Sequence, residues 1–185
     1  MGLRERLFGR ESGVSTPRDE DAERSRLEHV GFGLPAVDDL LSASTSGVIA
    51  GVVFGAMLPT AVFMPTFAEL YGATRAIDGW IVHLLHSVGF ALLYGIAVEG
   101  PWNPYRNLTA DPRTGALIGA CYGGVLWIVT VAVVMPLWFD ALRIGTLPFP
   151  YVDQLLLLGL LVYGFLLGTF YPLVSSVDSG SPSRA

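Results

Sequence analysis

The chain carries 185 residues, 52% of them apolar, with a net charge of −5 and 11 basic residues, every one an arginine. That length holds one membrane domain with a short tail and leaves no room for an appended enzyme, and a mean hydropathy above zero suits a polytopic membrane protein better than a soluble core of this size. Nucleic acid is excluded as a partner because no basic patch exists to neutralise phosphates, while acid excess without lysine fits a high-salt source in which surface carboxylates maintain solubility.

Residues 1–46 read as a polar cytoplasmic tail. Its charged patch from Arg18 to Glu28 is expected to be solvated and loosely structured. Met1 to Arg10 has no continuous apolar core and no cleavage site, so no signal peptide is expected. Further along, Leu34, Val37, Leu40 and Leu41 fall on one helical face, and Pro35 suits a first helical turn. A short helix lying in the membrane interface is the natural reading.

Four stretches without Asp, Glu, Lys or Arg follow: Leu40 to Ala68, Gly79 to Val98, Thr114 to Phe139 and Gln154 to Val177. A hydrocarbon layer about 30 Å thick is crossed by roughly 20 helical residues, so each stretch is long enough to span. The expected fold is therefore all-α: a polytopic membrane protein of four transmembrane helices. Helix pairs occupy 47–98 and 114–174, with a cytoplasmic loop at 99–113 and a cytoplasmic tail at 175–185. The arginines of the N-terminal tail, Arg106 and Arg113 of the middle loop and Arg184 outnumber Arg75 and Arg143 of the other two loops. The positive-inside rule then places both termini in the cytoplasm of a multi-pass protein of the cell membrane.

The helices also repeat a pattern. Gly47, Gly51 and Gly55 recur as Gly115, Gly119 and Gly123, and Met64-Pro65 with Glu69 recurs as Met135-Pro136 with Asp140. Gly72, Asp78 and Gly89-Phe90 recur as Gly145, Asp153 and Gly164-Phe165. This reads as a duplicated two-helix unit in parallel orientation, with residues inserted in the second copy and a pseudo-twofold axis along the membrane normal. Helices in lipid associate through close packing, and a glycine stripe lets a neighbouring backbone approach. The simplest arrangement puts helices one and three together at the centre, flanked by two and four; a pore or substrate groove is the alternative use of the stripe. Glu69 projects onto the stripe of Gly51 and Asp140 near Gly115, subject to kinks at Pro59, Pro65 and Pro136. Cys121, inside the third stretch, reads as a small buried apolar residue.

Helix two carries the one constellation with chemical potential. His83 and His86 share a helical face with Ser87, Phe90 and Tyr94, a polar stripe of the kind that faces protein rather than lipid. With the termini inside, both imidazoles lie at the outer level, as do Glu69, Asp78, Asp140 and Asp153. Two imidazoles and up to four carboxylates there suit a divalent metal or a proton relay. The plainer reading is polar packing: each imidazole bonds a carbonyl, a tyrosine hydroxyl or water, and the acids are solvated at helix ends. Haem needs imidazoles facing each other across the ring, and His29 is on the opposite side of the membrane, so a homodimer would have to supply the pair. No bound cofactor is the first expectation, with divalent metal or haem as alternatives. Aligned on the Asp and Gly-Phe pairs, Leu158 and Leu161 stand where the histidines stand, so a site of this kind belongs to the first half.

No Walker-type glycine loop, dinucleotide fingerprint, nucleophile elbow or zinc-finger Cys/His cluster occurs. The stretches Glu69-Leu70-Tyr71-Gly72 and Gly79-Trp80-Ile81-Val82-His83-Leu84-Leu85-His86-Ser87 resemble a group of small uncharacterised four-helix membrane proteins of halophilic archaea, over residues 47–173. Some members of that group carry the label histidine kinase, yet this chain has neither a phosphotransfer helix nor an ATP-binding domain with Asn and Gly boxes. The resemblance implies the fold and the membrane placement, and no functional residues. The expected function is that of a non-enzymatic membrane protein, resident in the lipid bilayer as a homo-oligomer or as a subunit or scaffold of a larger membrane assembly. The alternatives are metal or proton binding or transport through His83 and His86 with the outer carboxylates, and a membrane input module of a sensory system.

Overall fold

A computed structural model describes residues 35–179 except 101, 102, 104, 105 and 144. The charged patch at 18–28, His29, Leu34 and Arg184 lie outside the described residues. Those described form α1 (Val37–Met57), α2 (Thr60–Glu69), α3 (Ala76–Glu99), α4 (Arg106–Thr109), α5 (Pro112–Leu126), a π-helical segment π1 (Trp127–Val134), α6 (Met135–Leu142) and α7 (Gln154–Ser179). Four helical runs are long and apolar enough to cross a membrane: Val37–Met57, Ala76–Glu99, Pro112–Leu142 and Gln154–Ser176. Their outward faces are apolar as well, with Val52, Leu85, Leu93, Leu117, Ile128 and Leu158 all exposed. Helices apolar all round require either a surrounding protein core or lipid. The chain is thus an all-helical, multi-pass membrane protein.

Local chemistry explains where the helices begin and end. α1 starts at Val37, and the stretch expected to form a separate interfacial helix is its first turn. No breaker separates the two. The Ser44 and Ser46 hydroxyls donate to the Leu40 and Ser42 carbonyls four residues back (2.7 and 2.8 Å), so the polar side chains satisfy themselves on the helix and the ladder runs through them. Asp39 accepts the Ala36 N–H at 3.1 Å, placing a carboxylate at the positive helix end. At the N-terminus of α5, Asp111 accepts the Arg113 N–H (3.0 Å) and Pro112 occupies the first turn, where its missing donor costs nothing.

The prolines act differently from one another. Leu58 is extended, as a residue before proline prefers, and the first uncharged stretch splits there into α1 and α2. That break separates Glu69 from the Gly51 stripe, contrary to the single-helix projection. Pro136 does not break its helix. It cannot donate to the Ala132 carbonyl, and the Tyr151 backbone N–H from the following loop fills that position at 3.1 Å. Just upstream the ladder widens, and the Met135 N–H reaches five residues back to Thr130.

Packing departs from the expected centre. The Gly115, Gly119 and Gly123 stripe faces α7, where a methyl group on any of the three would run into the backbone of Gly168, Gly164 or Leu160. The Gly47, Gly51 and Gly55 stripe faces α3, meeting Ala91, Ser87 and the Trp80 ring. Helices one and three therefore do not join through their stripes; α1 packs on α3 and α7, and α7 packs on α5. Small residues mark a face open to close approach without naming its partner, and here each stripe is taken by the next spanning helix in the chain. Cys121 is exposed on the outside of the bundle rather than buried.

Candidate functional site

Between the two halves lies a cavity of about 410 Å³. α1 contributes Phe54; α2 contributes Phe63 and Phe67, and the turn after it Leu70 and Tyr71; α3 contributes His83, His86, Ser87 and Phe90. The opposite wall comes from Thr130, Val131 and Val134 of π1, from Met135, Trp138 and Phe139 of α6, and from Leu156, Leu160 and Tyr163 of α7. The exposed members of this lining, Tyr71, His86, Val134 and Trp138, mark its mouth. The volume falls within the range of small-molecule sites, and the lining has the usual character of such sites: mostly apolar and aromatic with a few polar atoms.

Both sequence-predicted histidines lie here, with unequal roles. His83 is 4% exposed and donates Nε2–H to the Gly51 carbonyl at 2.9 Å. A carbonyl only accepts, so Nδ1 is the acceptor of the neutral ring. Phe54, Phe67 and Trp80 surround it with ring centroids at 5.3, 5.6 and 5.8 Å. This is a satisfied core histidine pinning α3 to α1. His86 sits at the mouth, its Nδ1 2.8 Å from the Val82 carbonyl and its Nε2 2.9 Å from the Tyr71 hydroxyl.

Tyr71 owes its position to the end of α2. Gly72 adopts a left-handed φ of 73°, its N–H bonds the Glu69 carbonyl (3.0 Å), and the Ala73 N–H bonds the Ala68 carbonyl (3.0 Å). This paired closure is the Schellman arrangement, which favours glycine in its left-handed position. A further tight contact sets α2 against α3: a methyl on Gly79 would overlap the Met64 carbonyl.

The four carboxylates are not drawn into this cavity. Asp78 forms a two-pronged pair with Arg75 (2.7 and 2.9 Å), and that bond raises the already high guanidinium pKa further. Asp153 caps α7 by accepting the Leu156 N–H at 2.9 Å and takes the Tyr151 hydroxyl at 3.3 Å. Burial, then the neighbouring Asp153 charge, pushes the Tyr151 phenol up. Glu69 and Asp140 are exposed. Among the described residues, no three His, Cys, Asp or Glu side chains are grouped so as to hold a metal ion.

Of the rest of the predicted stripe, Ser87 and Phe90 line the cavity, whereas Tyr94 lies beyond it beside Tyr122 and Tyr171 (5.3 and 5.9 Å). Sequence reading missed Phe54, Tyr71, Thr130 and Tyr163 as lining residues. For Phe54 and Tyr71 the only signal was the aromatic side chains along the first uncharged stretch and the loop after it, which by themselves read as core; Thr130 and Tyr163 carried none. No family model matches the chain, and neither a curated protein nor a solved structure resembles it. On its own features, this is a multi-pass membrane protein with an aromatic-lined cavity among its helices.

Proposed function

We propose that this is a non-enzymatic membrane-embedded binding protein that takes a small apolar molecule from the bilayer into the cavity beside His86. One observation carries the reading: a cavity lined almost wholly by apolar and aromatic side chains lies among four helices each long and apolar enough to cross a membrane. The π-helical segment supports it, since π turns cost regular hydrogen bonding and cluster at functional sites, and π1 supplies Thr130, Val131 and Val134 to the lining. The arginine bias puts both ends in the cytoplasm, and the cavity then opens in the outer half of the cell membrane. A metal-based reading has less support, because the four carboxylates are spent elsewhere or exposed.

The test is solvent extraction and mass spectrometry of protein purified from membranes in mild detergent. A stoichiometric apolar compound is expected in wild type, depleted in Val134→Trp, which narrows the mouth, and retained in Val125→Trp on the outer face. Equal recovery from all three proteins, or none above the detergent blank, would overturn the reading.

A further inference from the structure

The hydrogen-bond inventory of the cavity limits what it accepts, given the binding reading above. Among the described residues, four lining side chains carry a hydroxyl, and each proton is already committed. Ser87 donates to the His83 carbonyl (2.9 Å), Thr130 to the Leu126 carbonyl (2.7 Å) and Tyr163 to the Ser87 carbonyl (2.5 Å). The fourth is Tyr71. Because the Val82 carbonyl beside His86 Nδ1 can only accept, Nδ1 carries the ring hydrogen, and in the neutral ring Nε2 accepts the Tyr71 proton. The mouth therefore presents the lone pairs of the Tyr71 oxygen and no Tyr71 donor.

We infer that the cavity selects an amphiphile whose polar end is a ring-borne hydroxyl, a phenol or quinol in type, read by the Tyr71–His86 pair. A hydroxyl donates to the Tyr71 oxygen. A carbonyl, ether or ester oxygen set against the same atom meets only lone pairs, and a desolvated acceptor without a donor is penalised. Trp138 also lines the cavity, and a hydroxyl is the one oxygen group able to accept from an indole N–H while donating to Tyr71. Among the described residues no carboxylate lines the cavity, so a cationic head would be desolvated without a counter-charge. Phe54, Phe63, Phe67 and Phe90 supply flat apolar walls for the ring.

The probes are 2-naphthol and 2-methoxynaphthalene, which share a ring system and differ in the hydroxyl proton. Binding is measured to the full chain in nanodiscs, with each probe's lipid partitioning subtracted using empty discs. Wild type is expected to bind the naphthol about tenfold more tightly, the worth of one made against one unmade hydrogen bond. His86→Leu frees the Tyr71 proton to donate, so the ether gains and the preference shrinks. The double variant Tyr71→Phe, His86→Leu removes it. Both positions are exposed, and circular dichroism with thermal melting confirms that the variants fold. Equal binding of the two probes to wild type, or a full preference surviving in the double variant, overturns the hydroxyl assignment. Failure of both probes to bind wild type overturns the binding reading beneath it.

Discussion

The two halves of the molecule carry the same glycine spacing and use it at different depths. In the second half, Gly119 and Gly164 meet backbone to backbone, as do Gly115 and Gly168, and nothing intervenes between α5 and α7. In the first half the stripe on α1 meets side chains of α3: the Ala91 methyl, Ser87 and the Trp80 ring. Partner position also differs from the sequence alignment. Gly164 packs on Gly119, but its sequence counterpart Gly89 has open space around its Cα, and Ser87 takes the facing role. Helix two thus presents a bulkier, more polar face to helix one than helix four presents to helix three. That face carries His83, Ser87 and Phe90 into the cavity. Close packing in one half and looser, polar packing in the other is what turns a repeated spacing into a one-sided site.

A second contrast lies between glycine stripe and proline. From Gly55 to Met64 is nine positions and from Gly123 to Met135 is twelve. The shorter segment breaks at Leu58–Pro59; the longer one stays continuous and contains π1. A π turn absorbs extra residues without ending the helix, at the expense of ladder geometry. The outcome is one wall of the cavity built from a separate short helix and the other from an unbroken span.

The largest test of this contrast is a pair of glycine substitutions. Gly119→Ala is expected to lower stability in detergent by about 3 kcal/mol or more, the upper end of overpacking costs, because its obstacle is the Gly164 carbonyl and no side chain remains to trim. Gly47→Ala is expected to cost about 1–2 kcal/mol and to be rescued by Ala91→Gly, since the Ala91 methyl is its nearest obstacle. Equal losses at the two positions, or no rescue, would dissolve the distinction between the halves.

Next in size are the left-handed residues. Gly72 closes α2 with φ of 73°, while Arg143, after α6, holds φ of 56° with a full side chain. Gly72→Ala is expected to cost about 1 kcal/mol and to loosen the Tyr71–His86 contact, whereas Arg143→Gly stabilises by a similar amount, read as opposite shifts in thermal midpoint. Smallest are the tyrosines. Tyr163→Phe loses the bond to the Ser87 carbonyl and is expected to cost about 0.6 kcal/mol, typical of interhelical bonds in membranes. Tyr94→Phe removes a buried hydroxyl that has no partner, so stability holds or rises slightly. A loss at Tyr94 matching that at Tyr163 would show that the Tyr94 hydroxyl is bonded after all.

Much of the first half's chemistry was legible residue by residue. His83 and His86 three apart predicted a shared face, and both line the cavity. What could not be read was their division of labour. His83 became a core residue because Gly51, thirty-two positions earlier, offers a carbonyl that its missing side chain leaves accessible. His86 gained Tyr71 through a helix closure at Gly72 that only the backbone conformation reveals. The acids were placed at the right helix ends by sequence, but nearest-neighbour pairing with Arg75 and capping of α7 held Asp78 and Asp153 there.

Sequence alone determined the number of spans and their all-helical character, for a reason that belongs to the solvent. Hydrocarbon offers no hydrogen bonds to the backbone, so a long uncharged stretch has to pair its own N–H and C=O groups along a helix, whatever its neighbours do. Tertiary structure alone decided which glycine stripe met which helix, where the π turn fell and where the cavity opened. Those outcomes depend on contacts between residues far apart in the chain, such as Pro136 with Tyr151 by way of the Ala132 carbonyl. Close packing in lipid is won by shape, and shape is settled only when two faces meet.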